Sequence, residues 1–171
     1  IGLSQAMTYR ITGGMPDQGL RDAVFPAGTL RVLQLTDTHL YANPVGTLLG
    51  VNTLDSFERV IRHFHDFHWP VDLLLATGDL VHDASSQGYA KIGRTLAGFG
   101  VPVFCLPGNH DEPAVMRAHL RGEGVSTDTV LDHGDWRFVM LDSVIPGEEG
   151  GRLEDDELRR LDEALMDNNR H

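Results

Sequence analysis

The chain has 171 residues, the size of one ordinary domain, so a second domain of full size is not expected. Hydrophobic residues make up 41% and charged residues 23%, close to the average of globular proteins, which argues against a disordered chain and against a membrane partner. The formal net charge of −11 would repel polyanions, and no Lys/Arg stripe offsets it, so nucleic acid is not expected as a partner either.

Cysteine usage and the amino-terminal sequence bear on the compartment. Cys105 is the only cysteine, so no intrachain disulfide can form, and its apolar neighbours predict a small buried side chain. The first thirty residues do not show the basic start and apolar stretch of a secretory signal. Both observations favour the cytoplasm.

Regular structure is predicted to begin near residue 30. Residues 1–29 are rich in Gly, Pro and Thr and predict an irregular lead-in. The apolar run 30–35 predicts a buried strand, and residues 52–69 carry apolar side chains at helical spacing. The side chains predicted to face the core from this helix are those of Leu54, Phe57, Val60, Ile61, Phe64 and Phe67.

The same alternation continues along the chain. Strands are predicted at 71–79 and 101–108, each followed by a helix, at 85–99 and at 112–120. Strands that alternate with helices at this spacing predict right-handed crossovers and a mostly parallel sheet, which is an α/β fold.

The last third of the chain predicts a hairpin and a final helix. A hairpin element near 127–133 precedes a strand within 136–143. The closing helix falls within 153–167, with Leu158, Leu161 and Leu165 on one face.

Polar residues follow the first three strands where each strand ends. Asp37 and His39 follow the first strand, Asp79 follows the second, and Asn109 and His110 follow the third. In open α/β sheets, ligands bind beyond the carboxyl ends of the strands, so these side chains should converge. In extended backbone, residues two apart point to the same side, so Asp37 and His39 could hold one ion.

The residue types indicate which ligand such a site would take. Carboxylate, imidazole and amide groups suit Mn, Fe or Zn. Asp79 could bridge two ions about 3.5–4 Å apart, which would lower the pKa of a shared water toward about 7. His82 lies in the same predicted loop and is a candidate substrate contact by position alone. Each motif taken singly is also compatible with an ordinary turn.

Several motifs resemble those of the calcineurin-like metallophosphoesterases, and within them the bacterial class III 3′,5′-cyclic-AMP phosphodiesterases. The resemblance covers residues 30–171. Its motifs are TDTHL at 36–40, LLGVNT at 48–53, TGDLVHD at 77–83, LPGNHDE at 106–112, LDS at 141–143 and IPGEEGGRL at 145–153. It implies an α/β sandwich in which two facing β-sheets are flanked by helices.

The resemblance also implies roles for individual residues. Asp37, His39 and Asp79 would hold a first divalent ion, and Asp79 and Asn109 a second, with Mn or Fe expected and Zn possible. Asn109 and His110 would contact the substrate. The predicted catalytic residues are His110, as general acid at the leaving oxygen, and Asp111, which would orient the His110 ring.

The implied activity is hydrolysis of a phosphodiester, foremost 3′,5′-cyclic AMP, by hydroxide held between the two ions. Two alternatives stay open: phosphoesterase activity on another phosphodiester or nucleotide, and an inactive fragment that acts as an interaction module. In either enzymatic case the partner is a small anionic substrate.

The chain departs from the family's pattern at its end. Similar enzymes carry further histidines downstream, including a Gly-His-x-His pair, and this chain reaches His171 without them. We therefore expect residues 30–171 to be the N-terminal portion of a single domain, incomplete at its C-terminus. An uncovered apolar sheet face seeks a partner, so we also expect a homo-oligomer.

Overall fold

The computed structural model describes residues 26–66 and 70–166. Most of the predicted lead-in, residues 1–25, and the end of the first predicted helix, with Phe67, lie outside the described residues. The elements are, in chain order, β1 (Val32–Leu35), β2 (Thr47–Leu48), β3 (Val51–Asn52), α1 (Thr53–Asp66), β4 (Leu73–Thr77), α2 (Ser86–Ala97), β5 (Val103–Leu106), α3 (Pro113–His119), β6 (Val125–Ser126), β7 (Val130–His133), β8 (Trp136–Val139) and α4 (Asp155–Leu165).

A four-stranded parallel sheet positions the site. Its strand order is β1-β4-β5-β6, and all three pairings are parallel. The two central strands are the most deeply buried: Leu73, Leu74 and Ala76 of β4 have no exposed surface, and Cys105 of β5 is 1% exposed. The predicted α/β alternation is confirmed, because consecutive strands of this sheet are joined by helical crossovers.

Two smaller pairings accompany the sheet. Strands β2 and β3 form an antiparallel pair just before α1, and β7 and β8 form the predicted hairpin. The four-stranded sheet is the largest within residues 26–66 and 70–166.

The helices begin where the local chemistry favours it. Ser85 caps α2, since its side chain accepts a hydrogen bond from the Gly88 backbone N–H. Pro113 occupies the first turn of α3, as predicted, where its missing N–H has no cost. The core beneath α1 and α2 contains Phe57, Ile61, Tyr89, Ile92 and Leu96.

Two predicted core faces differ from the structure. Val60 of α1 is 51% exposed, although its neighbours Phe57 and Ile61 are buried. On α4, Leu158 and Leu165 are 43% and 58% exposed, and Ala164 is the buried residue. Helical spacing identifies an apolar face but does not supply an element to cover it.

Among the described residues, none of the helices combines the length and the apolar character that crossing a membrane requires.

Candidate metal centre

The predicted strand-end residues lie together at one edge of the sheet. Asp37, Asp79 and Asn109, which follow β1, β4 and β5, line one cleft of about 340 Å³. The carboxyl ends of neighbouring parallel strands meet at the same edge, which is why residues far apart in sequence share this cleft. The predicted convergence of these side chains is confirmed.

Two carboxylates face one imidazole in this cluster. The His39 Nε2 atom lies 3.6 Å from Asp79 Oδ2 and 3.9 Å from Asp37 Oδ1. One candidate ligand atom from each of the three residues lies within 4.8 Å of the others. The His39 and Asp79 side chains are 13% and 15% exposed, whereas the Asp37 side chain is 62% exposed. The cluster is therefore open to incoming ions on the Asp37 side.

The backbone that presents these ligands is not extended, which corrects the prediction made for Asp37 and His39. Their φ angles are 56° and 43°, and that of Asp79 is 52°, so all three are left-handed. A left-handed conformation is uncommon for a non-glycine residue, although Asp and His adopt it more readily than most, and it is concentrated at functional sites. Two other non-glycine residues of the described chain, Leu49 and Ala84, share it.

Backbone hydrogen bonds between the two loops hold this conformation. Beyond the ends of β1 and β4, Asp37 N–H donates to the Gly78 carbonyl, at 3.1 Å, and His39 N–H donates to the Asp79 carbonyl, at 2.8 Å. A third bond, from Leu40 N–H to the Leu80 carbonyl, continues the series at 3.0 Å. These three hydrogen bonds tie the two loops together and compensate the unfavourable φ angles.

Gly108 allows the third loop to approach Asp79. A Cβ atom at Gly108 would overlap the carboxylate and the backbone nitrogen of Asp79. The same approach lets His110 N–H donate to Asp79 Oδ1 at 3.1 Å. One oxygen of Asp79 thus faces the 107–111 loop while the other faces His39, the orientation that a bridging carboxylate requires.

Asp111 has different partners from the one predicted for it. Its Oδ2 accepts hydrogen bonds from the backbone N–H groups of Leu80 and Gly108, at 3.0 and 2.8 Å. Its Oδ1 accepts from Val81 N–H at 3.0 Å and from the Tyr89 hydroxyl at 2.9 Å. None of the hydrogen bonds described for Asp111 reaches the His110 ring, so the contact expected for an orienting role is not among them. This carboxylate, 7% exposed, joins the two site loops and α2 instead.

Three histidine rings meet beside the carboxylates. The ring centroid of His82 lies 4.5 Å from that of His110, with a stacked angle of 25°, and 5.2 Å from that of His39. His39 and His110 are themselves in edge contact at 5.1 Å. Burial lowers the pKa of His82, and the neighbouring His110 and His39 lower it further. These three side chains form a second group that could hold a metal ion.

Some residues of the site were not predicted. Tyr89 is fully buried, and besides its bond to Asp111 it accepts a hydrogen bond from Glu112 N–H at 2.9 Å. Burial and the charge of Asp111 raise the pKa of Tyr89 well above its usual range, which keeps its hydroxyl a donor. The loop with Ser143, Glu149 and Gly151 lines the cleft as well. A lone hydroxyl on the apolar face of α2 was the available signal for Tyr89, whereas the loop position depends on the fold.

The donor atoms fit divalent transition-metal ions. Two carboxylates, one imidazole and the Asn109 amide line or adjoin one small cleft, and this mixture suits Mn, Fe or Zn better than an all-oxygen set would. The strained backbone and the Gly108 approach serve the placement of these side chains.

Known proteins are similar to this chain over most of its length. The 3′,5′-cyclic adenosine monophosphate phosphodiesterase CpdA of Escherichia coli K12 is 38% identical over 139 residues, which is 81% of this chain and 50% of that protein. The enzyme of the same name from Pseudomonas aeruginosa is 39% identical over 134 residues, 78% of this chain and 49% of its own length. A 3′,5′-cyclic-nucleotide phosphodiesterase of Nostoc is 32% identical over 136 residues, 80% of this chain and 51% of its own length.

The chain spans about half the length of the curated relatives it matches. The profile of the calcineurin-like phosphoesterase family matches residues 30–163, which contain Asp37, His39 and Asp79. The chain therefore belongs to the calcineurin-like phosphoesterase family.

Proposed function

We propose that this chain is the part of a metal-dependent phosphodiesterase domain that supplies Asp37, His39, Asp79 and Asn109 as ligands to two divalent cations. The observation that carries the proposal is the convergence of Asp37, His39 and Asp79, all in left-handed backbone, within 4.8 Å of one another. Left-handed backbone at non-glycine residues is concentrated at functional sites, which supports a site at these strand ends. The family match supports the same conclusion.

The proposed substrate is 3′,5′-cyclic AMP. The three relatives described above carry the name of a cyclic nucleotide phosphodiesterase, and two of the three are named for cyclic AMP. The cleft of about 340 Å³ is at the small end of the range for ligand sites, which suits a mononucleotide. Another phosphodiester or a nucleotide monoester is the alternative substrate.

Bound divalent ions would offset the charge of the phosphate and lower the pKa of water at the site. The chain's own residues would bind and orient. Asp79 presents one carboxylate oxygen to each side of the cleft, and the Asn109 amide lines the same wall. His110, on an exposed position next to this wall, would donate a ring proton to the leaving oxygen.

The acidic character of the chain makes the ions necessary for an anionic substrate. With a net charge of −11, the protein would repel a phosphate at long range. The cleft is lined by Asp37, Asp79 and Glu149, and no Lys or Arg is among the described residues that line it. Divalent ions at this position would reverse the sign of the local field.

The predicted homo-oligomer remains a proposal. It is supported by exposed apolar side chains at the end of the described chain, since Leu158, Leu165 and Met166 are 43%, 58% and 77% exposed. Sedimentation of the wild type and of a Leu165→Glu variant tests it. We expect the wild type to associate and the variant to associate less; a monomeric wild type would contradict the proposal.

The test of the metal centre is direct binding of Mn²⁺, followed by calorimetry. We expect the wild-type chain to bind Mn²⁺. Loss of a residue that only contacts a metal ligand typically lowers metal affinity about 10–100-fold, and we expect Asp79→Asn to lose more than that. Asp128→Asn is the matched control, because Asp128 is an exposed aspartate outside the residues that line the cleft. Absence of Mn²⁺ binding by the wild type, or equal affinity of the Asp79→Asn variant, would overturn the proposal.

Substrate class needs a separate measurement. Hydrolysis of 3′,5′-cyclic AMP, of bis(p-nitrophenyl) phosphate and of AMP should be compared with Mn²⁺ present. We expect turnover of the cyclic diester to exceed that of the monoester, since the relatives are named for cyclic nucleotides. Turnover of the aryl diester without cyclic AMP hydrolysis would favour the alternative substrate, and turnover of neither would favour an interaction module.

A further inference from the structure

The residue that the metal centre leaves without an assigned role is His82. Its Nδ1 lies 3.2 Å from Nδ1 of His39, within hydrogen-bond distance. The cluster of Asp37, His39 and Asp79 uses the other ring nitrogen of His39, because Nε2 is the atom that faces both carboxylates. The two nitrogens of the His39 imidazole therefore have different environments.

This division has a consequence for the protons. A histidine that binds a metal through Nε2 has its lone pair there, so its Nδ1 carries the hydrogen. A group that accepts this Nδ1–H holds both the tautomer and the plane of the ring. Of the two rings in contact with His39, that of His82 has the nitrogen described within hydrogen-bond distance of Nδ1.

We propose that His82 is a positioning residue for the metal centre: its Nδ1 accepts the Nδ1–H of His39, so that the Nε2 lone pair of His39 stays free for a cation held beside Asp37 and Asp79. This inference rests on the proposed function, in which His39 is a metal ligand. It gives His82 a role different from the substrate contact expected from its position in the sequence.

The surroundings of His82 fix its ring in the orientation that this role needs. One face stacks on the His110 ring at 4.5 Å, and the Tyr41 ring lies at 5.0 Å. The backbone N–H of His82 donates to the Leu40 carbonyl at 2.8 Å. The preceding residue, Val81, is fully buried and is bound by the Asp111 carboxylate. A side chain held at this many points can orient a neighbour.

Two substitutions separate the hydrogen bond from the stacking. The His82→Gln variant has an amide oxygen that can accept the hydrogen bond from His39, but it lacks the aromatic ring. Phe in His82→Phe keeps an aromatic ring against His110 and has no acceptor. If the hydrogen bond is what matters, the glutamine variant should resemble the wild type and the phenylalanine variant should not.

The first readout is the tautomer of His39 in the metal-free chain, measured from the ¹⁵N shifts and ¹H–¹⁵N couplings of the imidazoles. We expect the Nδ1–H form in the wild type and in His82→Gln, and a mixture of tautomers in His82→Phe. An unchanged His39 tautomer in the phenylalanine variant would overturn the proposal. This measurement requires neither bound metal nor activity.

The second readout is Mn²⁺ affinity by calorimetry, with the unfolding midpoint measured in parallel to confirm that each variant folds. We expect His82→Phe to bind about 10–100-fold more weakly than the wild type, and His82→Gln to stay close to it. If both variants lose affinity equally, His82 is itself a ligand in a site with His39 and His110, and the proposal is wrong. Equal affinity of His82→Phe and the wild type would also reject it.

The failure of this proposal is distinguishable from failure of the metal centre. If Asp79→Asn abolishes Mn²⁺ binding while His82→Phe leaves the tautomer and the affinity unchanged, the metal centre stands and the role of His82 is rejected. If the wild type binds no Mn²⁺, the proposed function fails, and the tautomer measurement still decides whether His82 controls the His39 ring.

Discussion

Two regions built from the same loops place their carboxylates in opposite environments, one buried and hydrogen-bonded and the other facing an open cleft. At the loop junction, defined by Asp111, Tyr89 and the backbone N–H groups of Leu80, Val81 and Gly108, one buried carboxylate accepts four hydrogen bonds. At the strand-end cluster, defined by Asp37, His39 and Asp79, the carboxylates face an imidazole at 3.6–3.9 Å across an open cleft.

The difference shows that carboxylates carried by the same loops can serve two purposes. A carboxylate whose lone pairs are filled by protein donors is stabilising and has no capacity left for an ion. A carboxylate with an unused oxygen directed at a cleft is costly in the empty protein and ready to bind a cation. The junction holds the loops so that the cluster can remain strained.

The largest expected effect is at the junction. Asp111→Ala leaves four donors without their acceptor in a buried place, so we expect the free energy of unfolding to fall by about 3–5 kcal/mol. Urea denaturation measures it. Asp111→Asn keeps the side-chain volume and should lose less, and the surface change Asp128→Ala should stay within about 0.5 kcal/mol. Equal stability of Asp111→Ala and the wild type would show that the junction does not hold the loops.

The next largest effect concerns the close approach of the 107–111 loop to Asp79. In Gly108→Ala, the new methyl group would overlap the Asp79 carboxylate and backbone nitrogen, so we expect a loss of about 1–3 kcal/mol together with weaker Mn²⁺ binding. Gly150→Ala is the matched control for stability, since a Cβ atom there meets nothing within 4 Å. Similar losses in both variants would mean that the close approach is unimportant.

Asp72, at the opposite end of the sheet, extends the comparison to a carboxylate that has a cationic partner. Asp72 accepts hydrogen bonds from the Arg31 side chain at 2.6 and 2.8 Å and from the Arg31 backbone N–H at 2.8 Å. The side-chain hydrogen bond to Arg31 is the main cause that lowers the pKa of Asp72. Since the two side chains are 35% and 26% exposed, solvent screening limits the pair to about 1 kcal/mol.

The lowered pKa fixes the pH dependence of this contribution. A folded-state pKa below the unfolded value of about 3.9 means that the stabilisation is complete above about pH 5 and is lost as the pH falls through the lowered pKa. We therefore expect Asp72→Asn to be less stable than the wild type at pH 7 and the difference to shrink between about pH 5 and 3. Denaturant titrations of both proteins at each pH measure it, and a constant difference would contradict the assignment.

The smallest expected effect tests the strain itself. Ala84, with φ 49°, is a left-handed residue outside the cluster, so Ala84→Gly should raise the free energy of unfolding by about 0.5–1 kcal/mol and leave Mn²⁺ binding intact. Asp37→Gly should gain less, within about 0.5 kcal/mol, because aspartate tolerates this conformation better than alanine.

The two variants should differ most in metal binding. Asp37→Gly removes a proposed ligand and should weaken Mn²⁺ affinity, whereas Ala84→Gly should bind as the wild type does. Calorimetry on the pair measures it. If both lose stability, the left-handed backbone is not a source of strain at these positions.

The order of elements could be read from the chain, and the exposed faces could not. The apolar run 101–108 predicted β5 because buried parallel strands are apolar on both faces. The run 30–35 predicted the position of β1 but not its burial, since β1 is an edge strand and Val32 is 42% exposed. Leu158 and Leu165 followed the helical pattern equally well and are exposed, since their burial depends on elements that local spacing does not describe.

The site was predicted in its members more than in its contacts. Asp37, Asp79 and Asn109 were placed together correctly, because parallel strands deliver their ends to one edge. The family resemblance implied a contact between Asp111 and the His110 ring, but the loop turns the Asp111 carboxylate into the interior, toward Tyr89. The roles proposed for His110 and the metal ligands remain predictions.

The sequence by itself determined which chemical groups stand at the ends of which strands, because strand periodicity and chain order are local properties. Only the tertiary structure decided which of these groups accept hydrogen bonds from buried donors and which face the open cleft. A hydrogen bond from Leu80 to Asp111 spans 31 positions, and the contact of His82 with His39 spans 43. Pairings over such separations are set by how the loops pack together, which no local pattern of residues encodes.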